Sequence, residues 1–152
     1  MVQRTPQALA TLYEADETAW LEATADLIRA GRQDQIDPNT LAEYLTDMAR
    51  RDRREVSSRL AVLIAHLLKW RYQPDHRSGS WRGTVEVQRQ ELAELFESGV
   101  LRNHAVEVLA KVYANGVRQA EAETGLAGST FPEESPYSLE EILSAPLEVD
   151  AG

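Results

Sequence analysis

The sequence predicts an all-α fold, a single-domain bundle of about five main helices with a short C-terminal helix. Three observations predict it. Apolar residues recur every three or four positions along most of the chain, the period of a helix with one buried face. No segment alternates apolar and polar residues as a half-buried strand does. The breaks fall at helix punctuation: Gly31, Asp37-Pro38, Pro74 and Gly125. A length of 152 residues suits one domain, and 43% hydrophobic with 27% charged residues is the balance of a globular chain.

Residues 1–12 read as a loose end. The first helix starts near Asp16, a good N-cap, and carries Trp20, Leu21, Ala23, Leu27 and Ile28 on one side before Gly31 stops it. A second begins at Asp37, with Pro38 at the first helical position, where a missing N–H costs nothing. Leu41, Tyr44, Leu45 and Met48 form its stripe. Residues 49–55 (ARRDRRE) are so polar that the helix either ends there or runs on through a solvated turn. A third covers about 53–70, with Val56, Leu60, Leu63, Leu67 and Trp70 on one face and Val62, Ile64 and Leu68 widening it almost to the full circumference, the pattern of a central helix.

Pro74 ends that helix, and Ser80 is the expected cap of a fourth over 81–97, stopped by Ser98-Gly99. The fifth runs from about 101 to 123, ending at Gly125, and Gly116 inside it suggests a close helix contact or a bend. An extended arm over 126–137 leads to a capping box, Ser138 with Glu141, opening a short helix over 139–143 that must dock on the body to persist. Residues 148–152 read as a second loose end.

The chain has no cysteine, which removes disulfides, thiolate metal sites and cysteine nucleophiles and suggests a reducing cytoplasm. The longest apolar run, residues 60–68, is far short of the ~20 residues that cross a bilayer, so no membrane span or membrane partner is expected. The net charge of −9 is unevenly spread. Residues 1–49 carry 3 basic and 9 acidic side chains, residues 50–89 carry 10 and 4, and residues 119–152 carry none and 8. This basic island, almost all arginine, either pairs with the acidic flanks inside the fold or contacts phosphate. Acidic flanks that repel a polyanion favour the first reading.

The residues also resemble a known family. Tyr13 to Trp20 followed by Leu27-Ile28-Arg29-Ala30-Gly31, Asp37 with Leu41-Ala42-Glu43, His66-Leu67-Leu68-Lys69-Trp70, Tyr72-Gln73-Pro74, Ser80-Trp81-Arg82, Gln88-Arg89, Glu123-Thr124-Gly125-Leu126, Phe131-Pro132 and Ser135-Pro136-Tyr137 together resemble the bacterial family known as domain of unknown function 29. The resemblance spans about residues 13–147. It implies an all-helical fold; no activity is established for the family, so the resemblance adds no chemistry. Gly83 departs from it, standing where members usually carry a better helix former.

Three constellations are candidates for chemistry. His66 stacks with Val62 and Trp70 on one helix side, with Arg59 a turn further back, where an imidazole can act as acid–base or ligand; a core hydrogen bond is its plainer role. Glu43 and Asp47 at i, i+4, with Glu86, are candidate carboxylates; an ion pair of Glu43 or Asp47 with Arg59, Lys69 or Arg89 is the expected arrangement, since no Glu-x-x-His pair is present. Trp70, Arg71, Tyr72, Trp81 and Arg82 form an aromatic–arginine set suited to an interface or to closing a bundle end. His76 and His104 add no metal-ligand spacing. No serine elbow, phosphate loop or dinucleotide fingerprint occurs, so no catalytic, metal or cofactor residue is assigned and no cofactor is expected. The candidate binding cluster is His66, Trp70, Trp81, Arg82, Glu43 and Arg59. Protein association or self-association is the expected function. Nucleic-acid or phosphorylated-ligand binding through Arg50, Arg51, Arg53, Arg54, Arg71, Arg77 and Arg82 is the alternative, and a His66–carboxylate enzyme is a third reading.

Overall fold

The computed structural model describes residues 6–149, with side chains from Ala8 onward. Among these residues there are six α-helices and no strand: α1 (Pro6–Ala15), α2 (Glu17–Arg29), α3 (Pro38–Tyr72), α4 (Gly79–Leu95), α5 (Gly99–Thr124) and α6 (Leu139–Ser144), with single 3₁₀ turns at Gln33–Gln35, Pro74–His76 and Gly128–Thr130. The all-α expectation is met. Contacts divide the chain into two compact units, Met1–Arg50 and Arg51–Gly152.

In the first unit, α1 corrects the expected loose end at 1–12: residues 6–12 are helical, and residues 1–5 lie outside the described residues. A helix this short draws its stability from packing. Leu9 is buried, and the Tyr13 ring meets Trp20 edge-on at 4.8 Å. Asp16 then caps α2 as expected, its carboxylate accepting from the Ala19 N–H. Trp20 continues to Tyr44 at 5.4 Å, and a small cavity beside it is lined by Leu9, Trp20, Thr24, Ile36, Asp37 and Thr40.

The second and third sequence-predicted helices are one. Nothing in residues 49–55 breaks a helix, and their polar side chains are mostly exposed, so α3 continues through them for 35 residues, about 52 Å at 1.5 Å per residue. Asp37 anchors its start, accepting from the Asn39 N–H and the Thr40 hydroxyl.

The second unit is built on the C-terminal half of α3. Val56, Leu60, Leu63, Ile64, Ala65, Leu67 and Leu68 form one core cluster with Val85 and Leu92 of α4, Leu101, Ala105, Val112 and Ala120 of α5, and Leu139 and Ile142 of α6. At Gly116 α5 lies tight against α3: a β-carbon there would lie 2.7 Å from Ile64 Cγ2 and 3.2 Å from the Ala61 carbonyl oxygen. Gly125 ends α5 at φ +75°, a conformation glycine adopts at low cost.

Two caps differ from expectation. Ser78, not Ser80, caps α4, accepting from the Trp81 N–H at 3.2 Å. Ser98 is not a stop but the N-cap of α5, accepting from Leu101 N–H. For α4 serine's preference for N-caps is legible and the register is not; for α5 the sequence reading of Ser98 as a stop misses the cap. The Ser138–Glu141 capping box forms as expected, and α6 docks through Leu139 and Ile142. Arg89 of α4 supplies its C-terminal lock, donating to the carbonyls of Ile142 at 3.0 Å and Ala145 at 2.8 Å. Arg102 of α5 pairs with Glu140 of α6.

Candidate functional site

The end of α3 and the start of α4 meet in a corner of the second unit rich in aromatic and cationic side chains. Trp70 is its centre. The indole is 4% exposed, and its Nε1–H donates to the Glu148 carbonyl at 2.6 Å. The guanidinium groups of Arg77 and Arg82 lie 5.1 and 5.2 Å from its ring, and Arg77 Nε also donates to the Trp70 carbonyl. Both fall within the range of cation–π attraction. The Pro74–His76 turn delivers Arg77, and the first turn of α4 delivers Arg82.

One residue earlier, Lys69 is only 6% exposed. Its ammonium donates to Glu123 Oε2 at 2.6 Å and sits 4.6 Å from the Trp81 ring. A buried ammonium needs such a counter-charge. One turn back, His66 Nδ1 is 2.9 Å from the Val62 carbonyl oxygen, which puts the proton on Nδ1 as donor. Burial lowers the His66 pKa most; the Val62 bond opposes this, Lys69 lowers it further and Glu123 raises it. The net result is a neutral imidazole at neutral pH.

Beyond Trp70, Arg71 is hydrogen-bonded to the Tyr137 phenol, which raises the already high guanidinium pKa; Glu148 adds to the effect. Burial raises Tyr137 in turn, with Arg71 pulling it back. Tyr72 meets Phe131 edge-on at 5.4 Å. Tyr113 donates to the Pro132 carbonyl at 2.5 Å, and burial pushes its phenol up to about 12.

Of the sequence-predicted cluster, Trp70 and Arg82 touch, and Lys69 lies over the Trp81 ring and acts electrostatically on His66. Arg59 lies two turns before His66; it donates to Glu55 at 2.9 Å and to Gln88 at 3.2 Å and forms an ion pair with Glu91 at 3.6 Å, bracing α3 on α4. Glu43 is exposed in the first unit. The expected ion pairs of Glu43 or Asp47 with Arg59, Lys69 or Arg89 do not form. Asp47 meets Arg50, Lys69 meets Glu123, and Arg89 serves backbone carbonyls. Glu86 accepts from Gln90. Among the described residues no three His, Asp or Glu side chains gather to hold a metal ion.

Sequence reasoning passed over Glu123 and Glu148. Glu123 had a signal: a lysine inside the apolar run before Trp70 requires a carboxylate somewhere. Glu148 had none, since it reaches Trp70 through its backbone. Among the described residues no helix is long and apolar enough to cross a membrane.

In comparisons with curated proteins and with solved structures, nothing matches the chain. A family model does, the one described as Domain of unknown function DUF29, over residues 12–146. Those residues include both halves of α3 and the side chains of the corner named above other than Glu148, and no functional assignment comes with the match. The chain belongs to the DUF29 family.

Proposed function

We infer that the chain acts by protein–protein association and that the corner at Trp70 is its contact surface. The observation that carries this is a pair of guanidinium groups, Arg77 and Arg82, held over one buried indole, with the partly exposed Trp81 beside them. Tryptophan and arginine are the side chains that most often anchor interfaces, and stacking on a fixed ring removes part of the ordering cost an arginine otherwise meets on binding. Arg82 is exposed, so its outward donors remain available. A cysteine-free chain with no membrane-crossing helix among its described residues supports a reducing cytoplasm as the setting.

A photo-crosslinking amino acid in place of Arg82 tests this in cells expressing the chain. Cross-links to a discrete protein, or to a second copy, are expected, and Trp81→Ala should remove them. Cross-linking no stronger than from the same group at exposed Glu107 on α5 overturns the reading.

The exposed Arg50, Arg51 and Arg54 on consecutive turns of α3 favour a second reading, contact with nucleic-acid phosphates. Binding to an oligonucleotide that weakens steeply with salt, and is lost in an Arg50/Arg51/Arg54→Ala variant, would support it. Eight acidic and no basic side chains over residues 119–152 count against it.

A further inference from the structure

The segment that follows α6 shows what the corner receives. Arg89 ends α6 by gathering the Ile142 and Ala145 carbonyls, and the chain leaves it without regular structure. Leu147 then packs partly buried against the core, and the Glu148 carbonyl takes the Trp70 indole N–H. The Glu148 carboxylate lies in the field of Arg71, which Tyr137 holds in place. Val149 is 81% exposed. Residues 146–149 thus set Leu147 against the core, the Glu148 carbonyl on the Trp70 indole N–H and the Glu148 carboxylate within the field of Arg71. Segments without regular structure open at lower free energy than packed core helices.

We propose that residues 146–149 are a built-in, displaceable occupant of the corner, and that the association partner is an extended acidic segment that takes their place, offering a carbonyl to Trp70 and a carboxylate to Arg71. This rests on the reading of the corner as an association surface and adds the chemistry of what binds there. Charge complementarity carries the choice of partner: Arg77 and Arg82 lie over the ring of an indole donor already satisfied by a peptide carbonyl, and Arg71 is the next residue along α3. While the tail is in place, its tethering gives it an effective concentration in the millimolar range or above, so a partner competes only when it is abundant or binds more tightly.

Hydrogen exchange of the Trp70 indole N–H in the full chain, followed by NMR, tests this. In the wild-type chain that proton should exchange at least about tenfold faster than the amides of Leu63 and Ile64, because the tail opens without global unfolding. Leu147→Ser should accelerate it further and leave those core amides unchanged. A synthetic peptide of residues 145–152, APLEVDAG, should then bind the Leu147→Ser chain saturably and restore slow exchange; the same peptide with lysine at the Glu148 position should not.

A Trp70 indole that exchanges only in step with the core amides makes the tail a permanent part of the fold and overturns the proposal, and the wild-type chain alone decides that point. A released corner that takes no peptide, or takes a single-stranded oligonucleotide instead, also overturns it. Those outcomes leave the Arg82 cross-linking test standing. Cross-links lost while the peptide still binds would instead count against association.

Discussion

The two halves of α3 are turns of one unbroken helix, yet they are stabilised differently. In the first half the expected stripe is shallow: Leu41, Tyr44 and Met48 are half-buried, and Leu45 is 58% exposed. In the second, Leu60, Leu63, Ile64 and Leu68 are fully buried and residues 67–70 are enclosed on every side. Both halves satisfy their internal backbone hydrogen bonds, so the difference lies in side-chain burial. Continuity of a helix therefore says little about where its stability resides.

The largest test of that contrast is truncation in the second half. Leu63→Ala should cost about 2–5 kcal/mol in denaturant unfolding, whereas Leu45→Ala should change stability by less than about 0.5 kcal/mol. Comparable losses at the two positions would break the comparison. Next is Gly116→Ala, which drives a methyl group toward Ile64 and the Ala61 carbonyl; a loss of about 1–3 kcal/mol is expected by thermal denaturation. Pairing it with Ile64→Ala should recover part of that loss, and strict additivity would show that the two sites do not touch.

A smaller effect separates the halves by pH. The His66 pKa is lowered in the folded chain from its ordinary value of 6.5, so the unfolded state binds more protons below neutrality. Stability should be fully present above pH 6.5 and decline as pH falls through and below that value, and His66→Asn should flatten that limb. An unchanged limb would place the acid sensitivity elsewhere. The smallest effect has the opposite sign. A methyl group at Gly83, within α4, meets nothing within 4 Å, so Gly83→Ala should stabilise by up to about 1 kcal/mol. A loss there would reveal a crowded α4 surface.

The buried half of α3 was legible because its apolar residues leave no polar face, and Gly116 because glycine inside a good helix needs a reason. The continuity at residues 49–55 was not, since a solvated polar stretch has the same composition whether it ends a helix or prolongs one. α1 was missed because its stability comes from Leu9 and Tyr13 meeting partners made elsewhere in the first unit. At the corner, residue types pointed to Trp70, Trp81, Arg82 and His66. The interactions that organise them depend on a distant carboxylate, Glu123, and a backbone carbonyl at Glu148, which no local pattern announces. Glu43 entered the expected cluster on helical spacing alone, and spacing carries no information about burial.

The stretch over residues 49–55 has a practical consequence. Four arginines lie within five residues there, mostly exposed. Trypsin needs only a brief local fraying to seat such a site, so limited digestion should nick the chain at Arg50, Arg51, Arg53 or Arg54 well before Arg59, which is braced by α4. The order in which fragments emerge would give the loosest point along the longest helix without any spectroscopic label.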